Sequence, residues 1–159
     1  MPERVAPQAI SPEARYSAER GCRRKVTGPV QAIPKHMEDL YMENILDHYK
    51  HPRNAGRLED ATLRAKELNP SCGDAIELFL KLDACDRVEE VKFDGHGCAV
   101  SQASISLMTE RLKGRPLAEA MAIGEKDILG LLGIDVGPMR MKCAMLSLRT
   151  LKSALALKK

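Results

Sequence analysis

Apolar and polar positions along the chain change period several times, and each change marks an element. From Met37 onward, Leu40, Tyr41, Ile45, Leu46 and Tyr49 recur at roughly helical spacing until His51-Pro52 stops the run. Asn54-Ala55-Gly56 then reads as a turn, and residues 62–68 (TLRAKEL) read as a first strand. The strongest signal follows NPSCGD (69–74). In AIELFLKLD, Ile76, Leu78, Leu80 and Leu82 alternate with Glu77, Phe79 and Lys81, the period-two pattern of a half-buried strand. DACD (83–86) turns the chain into RVEEVKF (87–93), a further strand with Val91 and Phe93 on one face.

DGHG (94–97) predicts a sharp glycine-rich corner. Beyond it, CAVSQASISLMTERLKG reads as a helix with Val100, Ile105, Met108 and Leu112 near one stripe. Small residues in its first turns (Ala99, Ser101, Ala103, Ser104) permit a close neighbour. RPLAEAMAI (115–123) reads as a short helix with Pro116 near its N1 position, and KDILGLLG (126–133) as another. DVGP breaks the chain before MRMKCAMLSLRTLKSALALKK, a long terminal helix. The order of helix, strands and helices predicts an α+β fold: a small antiparallel sheet of about three strands, with helices packed on one face and a long C-terminal helix.

Composition narrows the classes. At 159 residues the chain holds one domain with a hydrophobic core. With two Phe, three Tyr and no Trp, that core is aliphatic, and a nucleic-acid reader that stacks bases on rings is excluded. No apolar run approaches a membrane span, so a soluble, cytoplasmic protein with no membrane partner is expected. The net charge of +3 belongs to the N-terminal segment: residues 1–36 carry seven Lys/Arg against Glu3, Glu13 and Glu19. That segment also holds five of the nine prolines and shows no sustained period, so 1–36 reads as a disordered extension and 37–159 as the folded domain.

Five cysteines, an odd number without a signal-peptide core before them, point to a reducing compartment and to metal-binding or reactive thiols. Cys22 lies in the N-terminal extension and is assigned no role. Cys85 falls in the hairpin turn, where an incidental exposed thiol is the natural reading. Cys72 follows a strand end in a turn, Cys98 follows the glycine corner at a helix start, and Cys143 lies in the first turns of the last helix. Helix N-termini favour thiolate, so Cys98 and Cys143 are expected to ionise readily, Cys143 with help from Arg140 and Lys142. With Asp74 these make four anionic donors, a set suited to tetrahedral zinc or to the iron of a sulfide-bridged cluster. The separations, 26 residues from Cys72 to Cys98 and 45 from Cys98 to Cys143, are not those of a zinc finger. Spacing alone leaves a shared metal and scattered thiols both open.

NPSCGD, GHGCAVSQASISLMTE and RMKCAML, in that order, resemble the three cysteine motifs of the iron–sulfur cluster assembly scaffolds, the IscU/SufU/NifU N-terminal family. LYMENILDHYKHPRNAGRLED is similar to the family's first helix and turn, so the resemblance covers about residues 38 to 157. It implies a scaffold that accepts persulfide sulfur from a cysteine desulfurase and holds a labile [2Fe–2S] cluster. The cluster then passes to acceptor or carrier proteins. It implies Cys72, Asp74, Cys98 and Cys143 as ligands of iron or cluster, with zinc as alternative occupant, and Cys143 and Cys72 as candidate persulfide acceptors.

Two departures qualify the match. The IscU branch has a histidine before its last cysteine, whereas this chain has Lys142, as in the SufU branch. A protonated lysine cannot coordinate, which makes Asp74 the fourth ligand. SufU proteins carry an insertion between the second and third cysteines that this chain lacks. DVGPMRM (135–141) replaces the motif by which IscU is recognised by its Hsp70 chaperone, so that partner is not carried over. The alternative function is a zinc-dependent sulfurtransferase that takes persulfide on Cys72 without building cluster. A third is a structural zinc module, against which stands the carboxylate in place of a fourth thiolate. His96 reads as an exposed turn histidine, His48 and His51 as complements to the first helix's C-terminus, and Ser101, Ser104 and Ser106 as packing and helix-surface residues.

Overall fold

A computed structural model describes residues 38–158. The readings of 1–36 and of Cys22 lie outside the described residues. The elements in chain order are α1 (Glu38–Lys50), β1 (Leu63–Asn69), β2 (Asp74–Leu82), β3 (Val88–His96), α2 (Ala99–Leu112), α3 (Leu117–Ala122), α4 (Glu125–Leu132) and α5 (Pro138–Ala156). The strands form an antiparallel sheet in the order β1-β2-β3, as the sequence pattern predicts.

Alternation in β2 decides which face meets the helices. Ile76, Leu78 and Leu80 are fully buried, and each contributes about 1.5–3 kcal/mol on leaving water. Their partners Ala65 and Leu63 on β1, and Phe93 and Val91 on β3, extend the same face. Against it lie α5, over β1 and β2, and α2, over β3. A register shift at Lys81/Leu82 ends the regular alternation, which leaves Leu82 only half-buried. On the outer face Phe79 is also buried, with the Arg64 guanidinium 5.1 Å from its ring centroid.

Three local expectations change. The DGHG corner is not a corner for its first three residues: Asp94, Gly95 and His96 continue β3 opposite Glu77, Ile76 and Ala75. Glycine permits this, because Gly95 has φ +155° and a Cβ there would sit 2.1 Å from the Ala75 carbonyl oxygen. Pro116 caps α3 rather than opening it. In α1, Ile45 is buried but Leu40, Leu46 and Tyr49 are exposed, while His48 is buried. The reason is position: α1 packs on α2, away from the sheet, so only a narrow stripe is covered. Cys85 is partly buried in its turn, and the free cysteines among the described residues are Cys72, Cys98 and Cys143.

α2 is the central helix, with every residue from Val100 to Thr109 buried. Its small side chains admit both neighbours. Ser104 Oγ donates to the Ala144 carbonyl at 2.9 Å and meets Ser147 Oγ at 2.6 Å, fixing α5. Ser106, read from sequence as a packing or surface residue, is fully buried and lies 2.7 Å from His48 Nδ1, fixing α1.

Candidate metal centre

Sheet register and helix packing bring the motifs together. Asn69 ends β1 and Asp74 begins β2, and the two are paired across the ladder. Period two puts Asn69 on the side of Leu63 and Ala65, and Asp74 on the side of Ile76 and Leu78, so both face the helix layer. The tight link Pro70–Gly73 carries Cys72 at its tip: the Asn69 carbonyl accepts from Cys72 N–H at 3.3 Å and from Gly73 N–H at 2.8 Å. Gly73 adopts φ +73° to close this turn.

Cys143, the sixth residue of α5, reaches the same place from the helix layer, and its Sγ lies 2.9 Å from Cys72 Sγ. Donor atoms of Cys72, Asp74 and Cys143 lie within 4.8 Å of one another. Cys98, half-buried, is the N-cap of α2 and approaches Cys143 closely enough to perturb its titration, but it falls outside that tightest group. His96, at the end of β3, is exposed. It borders an outer-face cavity with Arg57, Lys66 and Asp94.

The site is unequal in exposure. Cys72 is exposed, whereas Cys143 is 3% exposed. Asp74 is buried, and its Oδ2 has no hydrogen-bond partner. A buried carboxylate oxygen without a donor costs on the order of 1–3 kcal/mol or more, and such atoms in folded proteins are met by a water, an ion or a ligand. Gly97 leaves the space for it: a Cβ at that position would come within 2.4 Å of Ser101 Oγ and 2.9 Å of Asp74 Cγ. Two thiols, a bare carboxylate and a third thiol at the margin suit a borderline-soft cation or a cluster iron.

Metal-free, the Cys143 thiol is pushed well above its ordinary range, first by burial, then by the Cys72 thiol, by Cys98 and by the Asp74 charge. This reverses the expectation that Cys143 ionises readily. Cys143 stands more than a turn inside α5, beyond the strongest effect of the helix end, and Arg140 and Lys142 are exposed and not among the groups that shift it. A bound cation would take the proton's place on this thiol.

Sequence reasoning missed Asn69, which it treated as turn punctuation. Asn69 is 3% exposed, and its amide Nδ2 lies 3.2 Å from Cys72 Sγ and 3.7 Å from Cys143 Sγ. Its place at the inward end of a strand, three residues before a cysteine, was the available signal.

An α+β layer that gathers thiols and a buried carboxylate from a strand turn and two helices defines a protein with a metal-capable thiolate–carboxylate group. Residues 40–158 match the NifU-like N-terminal domain family, and the chain belongs to that family. Relatives include the zinc-dependent sulfurtransferase SufU of Bacillus subtilis, 39% identical over 137 residues, covering 76% of this chain and 92% of that protein. The iron–sulfur cluster assembly scaffold protein IscU of Aquifex aeolicus is 40% identical over 116 residues, covering 72% of this chain and 73% of that protein. Among solved structures, the SUF-system iron–sulfur cluster assembly scaffold protein of Fervidobacterium islandicum superposes with a TM-score of 0.63 at 35% identity. The match covers 77% of this chain and 99% of that one. No helix among the described residues is long and apolar enough to cross a membrane.

Proposed function

We propose that this chain is a scaffold on which a labile [2Fe–2S] cluster is assembled and from which it is transferred, with sulfur received as persulfide from a cysteine desulfurase. The observation that carries the reading is the unpartnered Asp74 Oδ2 beside the Cys72 and Cys143 sulfurs. Cys72, Asp74, Cys98 and Cys143 hold the cargo, and residues 37–159 form the domain that does so. Three thiolates give affinity, and the harder carboxylate is the weak corner through which the cargo leaves for an acceptor protein.

Exposure orders the sulfur chemistry. Cys72, at the tip of its turn, receives the persulfide, since Cys143 is closed to a macromolecular donor. The Cys72 thiolate attacks the outer sulfur of the desulfurase persulfide; a sulfur–sulfur bond forms on Cys72, and the desulfurase cysteine leaves as thiolate.

A second reading has its own support in Lys142 and in the Bacillus subtilis relative: a zinc-dependent sulfurtransferase in which zinc occupies the same donors and no cluster forms. Anaerobic incubation with ferrous iron, cysteine, a desulfurase and a thiol reductant separates them. The scaffold reading expects a [2Fe–2S] chromophore that passes to an apo-acceptor. A zinc-loaded protein that stimulates desulfurase turnover and never builds cluster overturns it.

A further inference from the structure

We infer that Asn69 is a positioning residue of the metal centre, whose side-chain amide donates to both sulfurs and fixes their spacing and electron donation; this rests on the metal-site reading above. The side chain has little freedom to do anything else. It is buried, and its Oδ1 accepts the Ser71 N–H at 3.2 Å. With the oxygen committed to a backbone donor, the NH2 group is turned toward sulfur, and its two protons match two acceptors, Cys72 Sγ at 3.2 Å and Cys143 Sγ at 3.7 Å. The backbone carbonyl of the same residue closes the turn that carries Cys72. One residue thus sets the position of Cys72 through the chain and its orientation through the side chain, while reaching across to α5.

The chemical consequence follows from what these sulfurs become when they bind. Neutral thiols are weak acceptors, but thiolates on a metal are strong ones, so the N–H to sulfur bonds strengthen on loading. Such donors draw electron density from the sulfur and hold its lone pairs in one direction, as outer partners of metal ligands do. A neutral amide achieves this without adding charge to a site that already gathers three thiols and a carboxylate.

The turn role and the donor role separate by substitution. In Asn69→Ser a hydroxyl can still take the Ser71 N–H, as serine does in turns of this shape, but it is too short to reach either sulfur. Asn69→Asp keeps the volume and the Ser71 acceptor and removes the donor. Cobalt(II) alone is the probe, added anaerobically to full-length protein. Wild-type protein should show a thiolate-to-cobalt charge-transfer band; its absence would sink the metal-site reading and this inference with it. With the band present, both variants should move it to longer wavelength, and Asn69→Ser should weaken cobalt in chelator competition by about ten-fold. Folded variants with the wild-type band and affinity overturn the inference while leaving the metal site standing. If neither variant folds, the unaltered protein decides: cadmium(II) titration must shift the Asn69 side-chain NH2 resonances, and unmoved resonances refute the donor role.

Discussion

Two partly buried polar clusters flank α2, and they differ in whether their hydrogen bonds close. On the α1 side, Ser106 Oγ accepts the Arg53 N–H at 2.8 Å and pairs with His48 Nδ1 at 2.7 Å. Glu110 Oε2 lies 3.7 Å from His48 Nε2, and the Arg53 guanidinium bridges to Asp47 at 2.5 Å. Thr109 Oγ1 donates to the Ser106 carbonyl and accepts from Asn54. Each of these side chains has a partner. At the other cluster two sulfurs crowd to 2.9 Å, and Asp74 Oδ2 has none. A satisfied network holds a fold together; an unsatisfied one leaves a place for a water, an ion or a ligand. The serine–histidine–glutamate grouping is therefore a clasp between helices and not a nucleophile, since Ser106 is fully buried.

Breaking the clasp should have the largest effect on stability. Ser106→Ala strands the part-buried Arg53 N–H and the buried His48 Nδ1 together, and the expected loss is about 2–4 kcal/mol by urea denaturation. Cobalt affinity should stay at the wild-type level. A variant that loses metal binding while remaining folded would show that the two clusters are not separable.

Gly97→Ala attacks the other side. Its Cβ would drive into Ser101 Oγ and the Asp74 carboxylate, for an expected cost of about 1–3 kcal/mol together with weakened cobalt binding. Unchanged binding, measured by chelator competition, would show that Asp74 can move freely and is not set in place by the glycine. Asp74→Ala should do the opposite to stability. Removing the unpartnered carboxylate makes the metal-free fold more stable by about 1 kcal/mol, read as a raised urea midpoint. A lowered midpoint would mean the carboxylate is already satisfied.

The smallest effect belongs to His48. Burial, aided by Arg53, lowers its pKa below 6.5, against the opposing pull of Glu110 and Asp47. The unfolded chain then binds the proton more readily than the folded one. The contribution to stability is complete above pH 6.5 and is lost as pH falls through the folded value. Urea midpoints across that window should fall with pH in wild type and flatten in His48→Asn. Equal slopes in the two proteins would remove His48 from the account.

Much of this molecule was legible in local pattern. The alternation from Ile76 to Leu82 gave β2 and its inner face, and the glycine and proline punctuation gave the helix order. Three cysteine motifs in sequence gave the family. What could not be read was set by contacts distant in the chain. His48 looked like a helix-end histidine because its partner Ser106 is 58 residues away. Cys143 looked like an activated thiol because sequence shows Arg140 and Lys142 beside it and hides the burial that outweighs them. Gly95 looked like a corner because the Ala75 carbonyl that requires a glycine lies on another strand. Asn69 looked like a turn residue, which it is, while its second role depends on a sulfur 74 residues further on.

The central claim is that the open cluster holds iron–sulfur cargo. Iron and acid-labile sulfide, measured in protein purified anaerobically from cells that supply both, test it most directly. The account predicts iron and sulfide in equal amounts, lost together when the cluster passes to an apo-acceptor. Stoichiometric zinc with no sulfide, persisting after anaerobic reconstitution with ferrous iron, cysteine, a desulfurase and a thiol reductant, would contradict it.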